Sequence, residues 1–154
     1  MPRKIKSGLI QLSLPKTEGE GSIEEIKDAM MQKHIPYIEE AGKKGVQILC
    51  FQEIFNTPYF CPGQDKAWYE SAETVPGPTI ERMQEYAKKY SMVIVVPVYE
   101  KEQAGVLYNT AAVIDADGKY LGKYRKNHIP YTSGFWEKFF FKPGNPGYPV
   151  FETR

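Results

Sequence analysis

The chain has 154 residues, 42% hydrophobic and 25% charged, and 20 Lys+Arg against 19 Asp+Glu leave a net charge of +1. This is the composition of one globular domain, long enough to bury roughly 70% of its unfolded surface, which excludes intrinsic disorder. Near-neutral charge gives no overall field for a polyanion, and runs such as Met92–Val96 fall far short of the ~20 apolar residues of a membrane-spanning helix, so neither nucleic acid nor membrane is expected as a partner.

The first expected element is a strand over 4–14, where apolar residues occur on both parities and both faces look partly covered. Its alternation lacks the solid apolar block of a secretion signal, and a cytoplasmic start is expected. Ser22 before Glu24 and Glu25 reads as an N-cap with acidic first-turn residues. The helix that follows carries Ile26, Met30, Ile38 and Ala41 at three-to-four spacing and ends near Lys43-Lys44-Gly45, with a kink expected at Pro36. Residues 46–55 form a second, continuously apolar strand of a sheet covered on both faces, and that strand contains Glu53.

Residues 56–78 show neither helical nor strand period and hold four prolines, the mark of a long functional loop. A helix over 79–90 and a strand over 92–99 come next. Strands over 106–114 and 120–125 are joined by Asp115-Ala116-Asp117-Gly118, whose Asp-Gly step signals a hairpin. The order β, α, β, α, β and hairpin predicts an α/β chain with a mixed sheet and two helices on one face. Residues 130–149 are rich in Pro, Gly and aromatics, and a further strand is expected over 148–152.

Several residues carry potential chemistry. A carboxylate in the apolar stretch around Glu53 must find partners or face solvent, and strand carboxyl ends of α/β sheets are where ligands bind. Lys123, Arg125 and Lys126 read either as a solvated strand edge or as a small cationic patch. His128 and His34 are too few for a metal centre with carboxylates. Glu137 lies in a stretch with five aromatics between 135 and 141, either a pocket wall, an association surface or core beneath a loop. Cys50 sits three residues before Glu53, so in a regular strand it faces away from it and belongs to the core. Cys61, in the long loop, lies beyond any motif linking it to Glu53 or Lys126. Two cysteines make no disulfide framework and suit a reducing compartment.

Taken in order, Phe51-Gln52-Glu53, Val75-Pro76-Gly77-Pro78-Thr79, Tyr108-Asn109-Thr110-Ala111, Lys123-Tyr124-Arg125-Lys126-Asn127-His128-Ile129-Pro130 and Trp136-Glu137-Lys138-Phe139 through Asn145 resemble the nitrilase superfamily of carbon-nitrogen hydrolases. Within it the chain looks most like the N-carbamoyl amide hydrolases, the β-ureidopropionases and N-carbamoylputrescine amidases. The resemblance implies an α-β-β-α sandwich, a Glu-Lys-Cys triad, a small-molecule N-carbamoyl substrate, homo-oligomers and no metal or organic cofactor. It places Glu53 at the general base, Lys126 at the oxyanion-stabilising lysine and Glu137 at the additional glutamate. The family's nucleophilic cysteine lies after the strand expected at 148, and neither Cys50 nor Cys61 matches it. Residues 1–154 are therefore expected to be a single partial domain, the N-terminal half, inactive alone and exposing apolar sheet. The rival expectation is a non-catalytic module that binds a partner chain through its aromatic loop and sheet edge.

Overall fold

A computed structural model describes residues 4–16 and 19–154. Five strands form one sheet in the order β1-β2-β3-β4-β5: β1 (Ser7–Ile10), β2 (Ile48–Phe51), β3 (Val93–Gln103), β4 (Val106–Ile114) and β5 (Tyr120–Arg125). β1, β2 and β3 are parallel, and β4 and β5 return antiparallel as hairpins. The mixed sheet is the one the element order predicts. Two expected strands are shorter than their apolar patterns: β1 covers four residues of 4–14, and β2 stops at Phe51, so Glu53 lies in the turn beyond it. β3 instead runs past Tyr99 to Gln103, because Glu100, polar in sequence, is matched by buried cations in the fold.

Helix α1 (Ile23–Lys43) starts at a capping box. Ser22 accepts from the Glu25 amide at 3.2 Å while the Glu25 carboxylate accepts from the Ser22 amide at 2.9 Å. The helix continues through Pro36, where a kink was expected, and closes on Lys44 and the left-handed Gly45. Helix α2 (Pro78–Tyr90) begins with proline at its first turn, where the missing N–H has no partner to lose.

Register sorts the sheet residues onto two faces. Leu49, Phe51, Ile94, Val96, Val98, Ala112 and Ile114 meet Met31 and Ile38 of α1 and Ile80, Met83 and Ala87 of α2 in one buried cluster, so both helices cover the same face. The opposite face carries the row Leu9, Cys50, Val95 and Val113 across four strands. Leu9 is 85% exposed there, so the expectation of a sheet covered on both faces does not hold for the described residues. Cys50 is corrected with it: its thiol is half-buried on this second face, not in the helix-covered core.

A second cluster caps the carboxyl ends of β2 and β3. Phe60, Trp68, Tyr99, Phe140 and Phe141 interlock, with Phe60 stacked on Trp68 at 5.3 Å and Tyr99 set edge-on to Phe141 at 5.1 Å. The long loop is therefore an aromatic plug, braced by a 3-10 turn over Lys66–Ser71. Half of the aromatic stretch enters this plug: Phe140 and Phe141 are buried, Phe135 is exposed, and residues Glu137–Phe140 form a single helical turn, α3. Residues 148–152 form no strand. Tyr148 stacks on Tyr124, Phe151 lies against Gly122, and the Arg154 amide bonds Asp115, so side chains hold this segment on the sheet without a ladder partner.

His34 is wholly buried on α1, edge-on to Phe51 and Phe55, with Nδ1 held by the Met30 carbonyl at 2.8 Å and Nε2 without a hydrogen-bond partner among the described residues. Burial lowers its pKa below the ordinary 6.5, since the site cannot solvate a second proton. A depressed histidine pKa contributes stability that is full above the unfolded value and declines as pH falls through it. Unfolding free energies from urea titrations should accordingly drop between pH 7.5 and 5.5, by up to about 1.4 kcal/mol per pH unit. In His34→Gln that decline should be shallower; an equally steep decline in the variant would assign the acid sensitivity elsewhere.

Candidate active site

Glu53 is presented by an unusual turn. The chain leaves β2 at Phe51, and two residues after Gln52 the backbone of Ile54 takes a left-handed φ of 41°. A β-branched residue adopts this at a cost of about 1–3 kcal/mol. The conformation is held because Ile54 is buried in the aromatic plug and its carbonyl accepts from both the amide and the hydroxyl of Thr57. The Phe55 amide then bonds Pro97 at 3.2 Å, tying the turn to β3. The result leaves Glu53 standing at the sheet end, its side chain 42% exposed.

Lys126 comes from the end of β5 and is pinned through its backbone on both sides. Its amide donates to Asn109 of β4 at 2.9 Å, and its carbonyl accepts from Gly144 at 2.9 Å. Gly144 passes so close that a Cβ there would sit 2.2 Å from the Arg125 carbonyl, so only glycine permits this crossing. Alternation along β5 sends Lys123 and Arg125 to the helix-covered face, where both meet the buried Glu100. The edge or patch reading of these cations is thereby replaced. Arg125 is buried, bonds Glu100 through Nε at 2.9 Å and Nη2 at 2.6 Å, and lies 3.8 Å over the Tyr108 ring. Burial would raise the pKa of Glu100, but the bonds from Arg125, Lys123 and Thr110 outweigh it and hold the carboxylate ionised.

Lys126, on the other face, reaches two carboxylates at once: Glu53 Oε1 at 2.9 Å and Glu137 Oε2 at 2.7 Å. The structure thus brings together all three residues singled out from sequence. The carboxylates differ in setting, since the Glu137 side chain is 3% exposed and the Glu53 side chain is open to solvent. Desolvation lowers the Lys126 pKa, but the hydrogen bonds it donates to Glu137 and Glu53 outweigh this and set it above the ordinary 10.5. The ammonium is therefore fixed as a cation in a partly dry corner.

Two further groups, Tyr59 and Asn109, join the constellation without having been assigned a part in it from sequence. Tyr59 donates its hydroxyl to Glu137 Oε1 at 2.8 Å. Asn109 donates its amide to Glu53 Oε1 at 2.6 Å. Among the described residues both donors to Glu53 use Oε1, which leaves Oε2 to accept a proton. Asn109 was visible as an amide in an otherwise apolar strand; Tyr59 sits in an aperiodic loop where no pattern marks it.

Cys61 is nearer to the constellation than its loop position suggested, and fully buried. Burial first, then the field of Glu137 and Glu53, pushes its thiol up to about 12, so it stays protonated and is a poor nucleophile. Burial also raises the Cys50 thiol pKa. His128 is exposed at the rim. Among the described residues no group of three or more His, Cys, Asp or Glu side chains is arranged to hold a metal ion, and no helix is long and apolar enough to cross a membrane.

A family profile described as Carbon-nitrogen hydrolase matches residues 12–154. The chain is 41% identical to a β-ureidopropionase of Arabidopsis thaliana over 99% of its own length and 38% of that protein. It is 45% identical to an N-carbamoylputrescine amidase of Solanum lycopersicum over 76% of its length and 39% of that relative. Among solved structures, a carbon-nitrogen hydrolase from Helicobacter pylori superposes with a TM-score of 0.80 at 29% identity, covering 93% of this chain and 46% of that one. The chain spans about two fifths of the length of these curated relatives. With a profile match over residues 12–154 and a fold that superposes on a carbon-nitrogen hydrolase structure, the chain belongs to the carbon-nitrogen hydrolase family.

Proposed function

We propose that this chain supplies the acid–base and oxyanion-holding groups of an enzyme that hydrolyses an N-carbamoyl amine or N-carbamoyl-β-amino acid to amine, carbon dioxide and ammonia. The observation that carries the reading is the ammonium of Lys126 fixed between an accessible carboxylate, Glu53, and a buried one, Glu137. The names of the two curated relatives point to ureido compounds as the substrate class.

In this reading a cysteine thiol from the remainder of the family domain gives its proton to Glu53 and attacks the ureido carbonyl. Lys126 opposes the charge that develops on the carbonyl oxygen, which is where a preformed cation in a water-poor corner lowers a barrier most. Glu53 hands the proton to the departing ammonia, and then takes one from the water that hydrolyses the carbamoyl thioester. Glu137, buried and bonded by Tyr59, keeps the lysine aimed and charged. The chain alone is inactive in this proposal because the nucleophilic cysteine belongs to the remainder of the domain, and Cys61, buried and held as a thiol, does not replace it. Assembly into a homo-oligomer, a cytoplasmic setting and catalysis without metal or organic cofactor belong to the same proposal.

A chain extended through the next cysteine, or this chain mixed with a separately expressed remainder, should release ammonia from N-carbamoyl-β-alanine or N-carbamoylputrescine. Glu53→Gln should reduce turnover by about 100-fold or more, and Lys126→Ala by a similar factor. Release equal to the Glu53→Gln background would defeat the proposal, and stable association of the two pieces without turnover would favour a binding module that uses its aromatic loop and sheet edge.

The lysine can be followed in this chain itself. Removing a carboxylate weakens the charged form, so Glu137→Gln should lower the Lys126 pKa, read from the 13Cε resonance of labelled lysine as pH is raised. Tyr59→Phe should lower turnover in the extended chain while leaving Lys126 cationic near neutral pH; an unchanged lysine titration in Glu137→Gln would remove Glu137 from its aiming role.

A further inference from the structure

Away from the Glu53–Lys126–Glu137 constellation, a groove of about 530 Å³ opens between the tip of the β3–β4 hairpin, the 3-10 turn and α3. Its volume lies within the range of small-molecule sites. Its lining joins two kinds of surface. One is apolar, built from Leu107, Phe140 and a slab in which the rings of Tyr69 and Phe139 stack at 5.6 Å with 16° between their planes. The Tyr69 hydroxyl is already committed to the Phe139 carbonyl at 2.8 Å, which fixes the slab. The other is cationic: Lys101 from β3, Lys138 within α3 and Lys142 two residues beyond it border the same hollow, against one carboxylate, Glu70. Among the described residues none of these three ammonium groups is ion-paired.

Three exposed lysines border one hollow, so their fields add there and favour a mobile anion. An inorganic anion would leave the aromatic slab bare, and a neutral aromatic would leave the ammonium groups unmatched. We propose that this groove is a binding site for an amphipathic carboxylate, a small molecule that lays an aromatic ring or short acyl chain on the Tyr69–Phe139 slab and sets its carboxylate among Lys101, Lys138 and Lys142. No residue of the groove belongs to the constellation, so the site is separate from the one that would hold an N-carbamoyl group. The two are nonetheless adjacent in sequence: Lys138 and Phe139 share one helical turn with Glu137. An occupant would therefore lie against the turn that carries Glu137.

Amide 1H–15N spectra of this chain test the site with 3-phenylpropionate, 3-phenylpropan-1-ol and 3-phenylpropylamine as matched probes. The acid should give saturable shifts at Ala104, Gly105, Leu107 and residues 139–142, with affinity that weakens as salt is raised. The alcohol should bind at least fivefold more weakly and the amine not at all. Lys101→Gln combined with Lys142→Gln should weaken the acid at least fivefold, and Lys→Arg at the same positions should restore it. Ala104→Phe, which fills the hollow from an exposed hairpin position and leaves every charge in place, should abolish binding. Absence of saturable shifts, equal response to acid and amine, or shifts confined to the open sheet face around Cys50 and Val95 would each overturn the proposal. These readouts are independent of turnover, so their failure would leave the hydrolase reading intact, and failure of that reading would leave them unchanged.

Discussion

The ammonium of Lys126, held at 2.9 Å by one carboxylate and 2.7 Å by another, is the interaction around which the rest of this structure is arranged. A lone cation in this corner would lose solvation without return, and a lone Glu137 would be a buried unpaired charge. Together they are mutually satisfied, and the surrounding donors complete them. Tyr59 occupies the second oxygen of Glu137, and Asn109 fixes the bonded oxygen of Glu53. The arrangement is asymmetric, because of the two carboxylates Glu53 is open to solvent and Glu137 is buried.

The support for this pair lies on the other side of the sheet. Glu100 receives Arg125 and Lys123 beneath the strands, while Arg125 also covers the Tyr108 ring. Breaking such a buried pair costs several kcal/mol, so the end of β5 is held by an ion cluster on one face and presents its lysine on the other. The aromatic plug has a comparable role for Glu53. Ile54 accepts a left-handed backbone because the plug buries its side chain, and the carboxylate before it is thereby turned out of the sheet.

How much of this could be read from sequence differed by element. Helix α1 was legible through Ser22, Glu25 and the spacing of Ile26, Met30 and Ile38, because capping and amphipathic period are local signals. β4 and β5 were legible through apolar runs around an Asp-Gly turn. Strand ends were not, since Val46 on one side and Ile54 and Phe55 on the other carry apolar residues beyond β2, and the left-handed turn at Ile54 is not marked by residue type. Glu53, Lys126 and Glu137 were singled out by their place in ordered motifs, whereas composition alone left each with an ordinary structural explanation. Tyr59 and Glu100 were hidden for opposite reasons: one lies in a loop without period, and the other's burial depends on cations that arrive 23 and 25 residues later. The covering of a sheet face by helices is a tertiary fact, and the exposed Leu9 shows that an apolar strand pattern does not reveal whether both faces find a cover.

One irregularity of β5 carries more than its size suggests. The pairing with β4 slips by one residue near Leu121: Tyr120 lies opposite Ile114, yet Gly122 lies opposite Val113. Such a bulge adds one residue and reverses which side every later side chain takes. With a regular ladder from Tyr120 onward, the guanidinium would emerge beside Glu53 and the ammonium would be driven under the sheet toward Glu100. Polarity of the whole centre is thus set by a single extra backbone unit, five positions upstream of the lysine it aims.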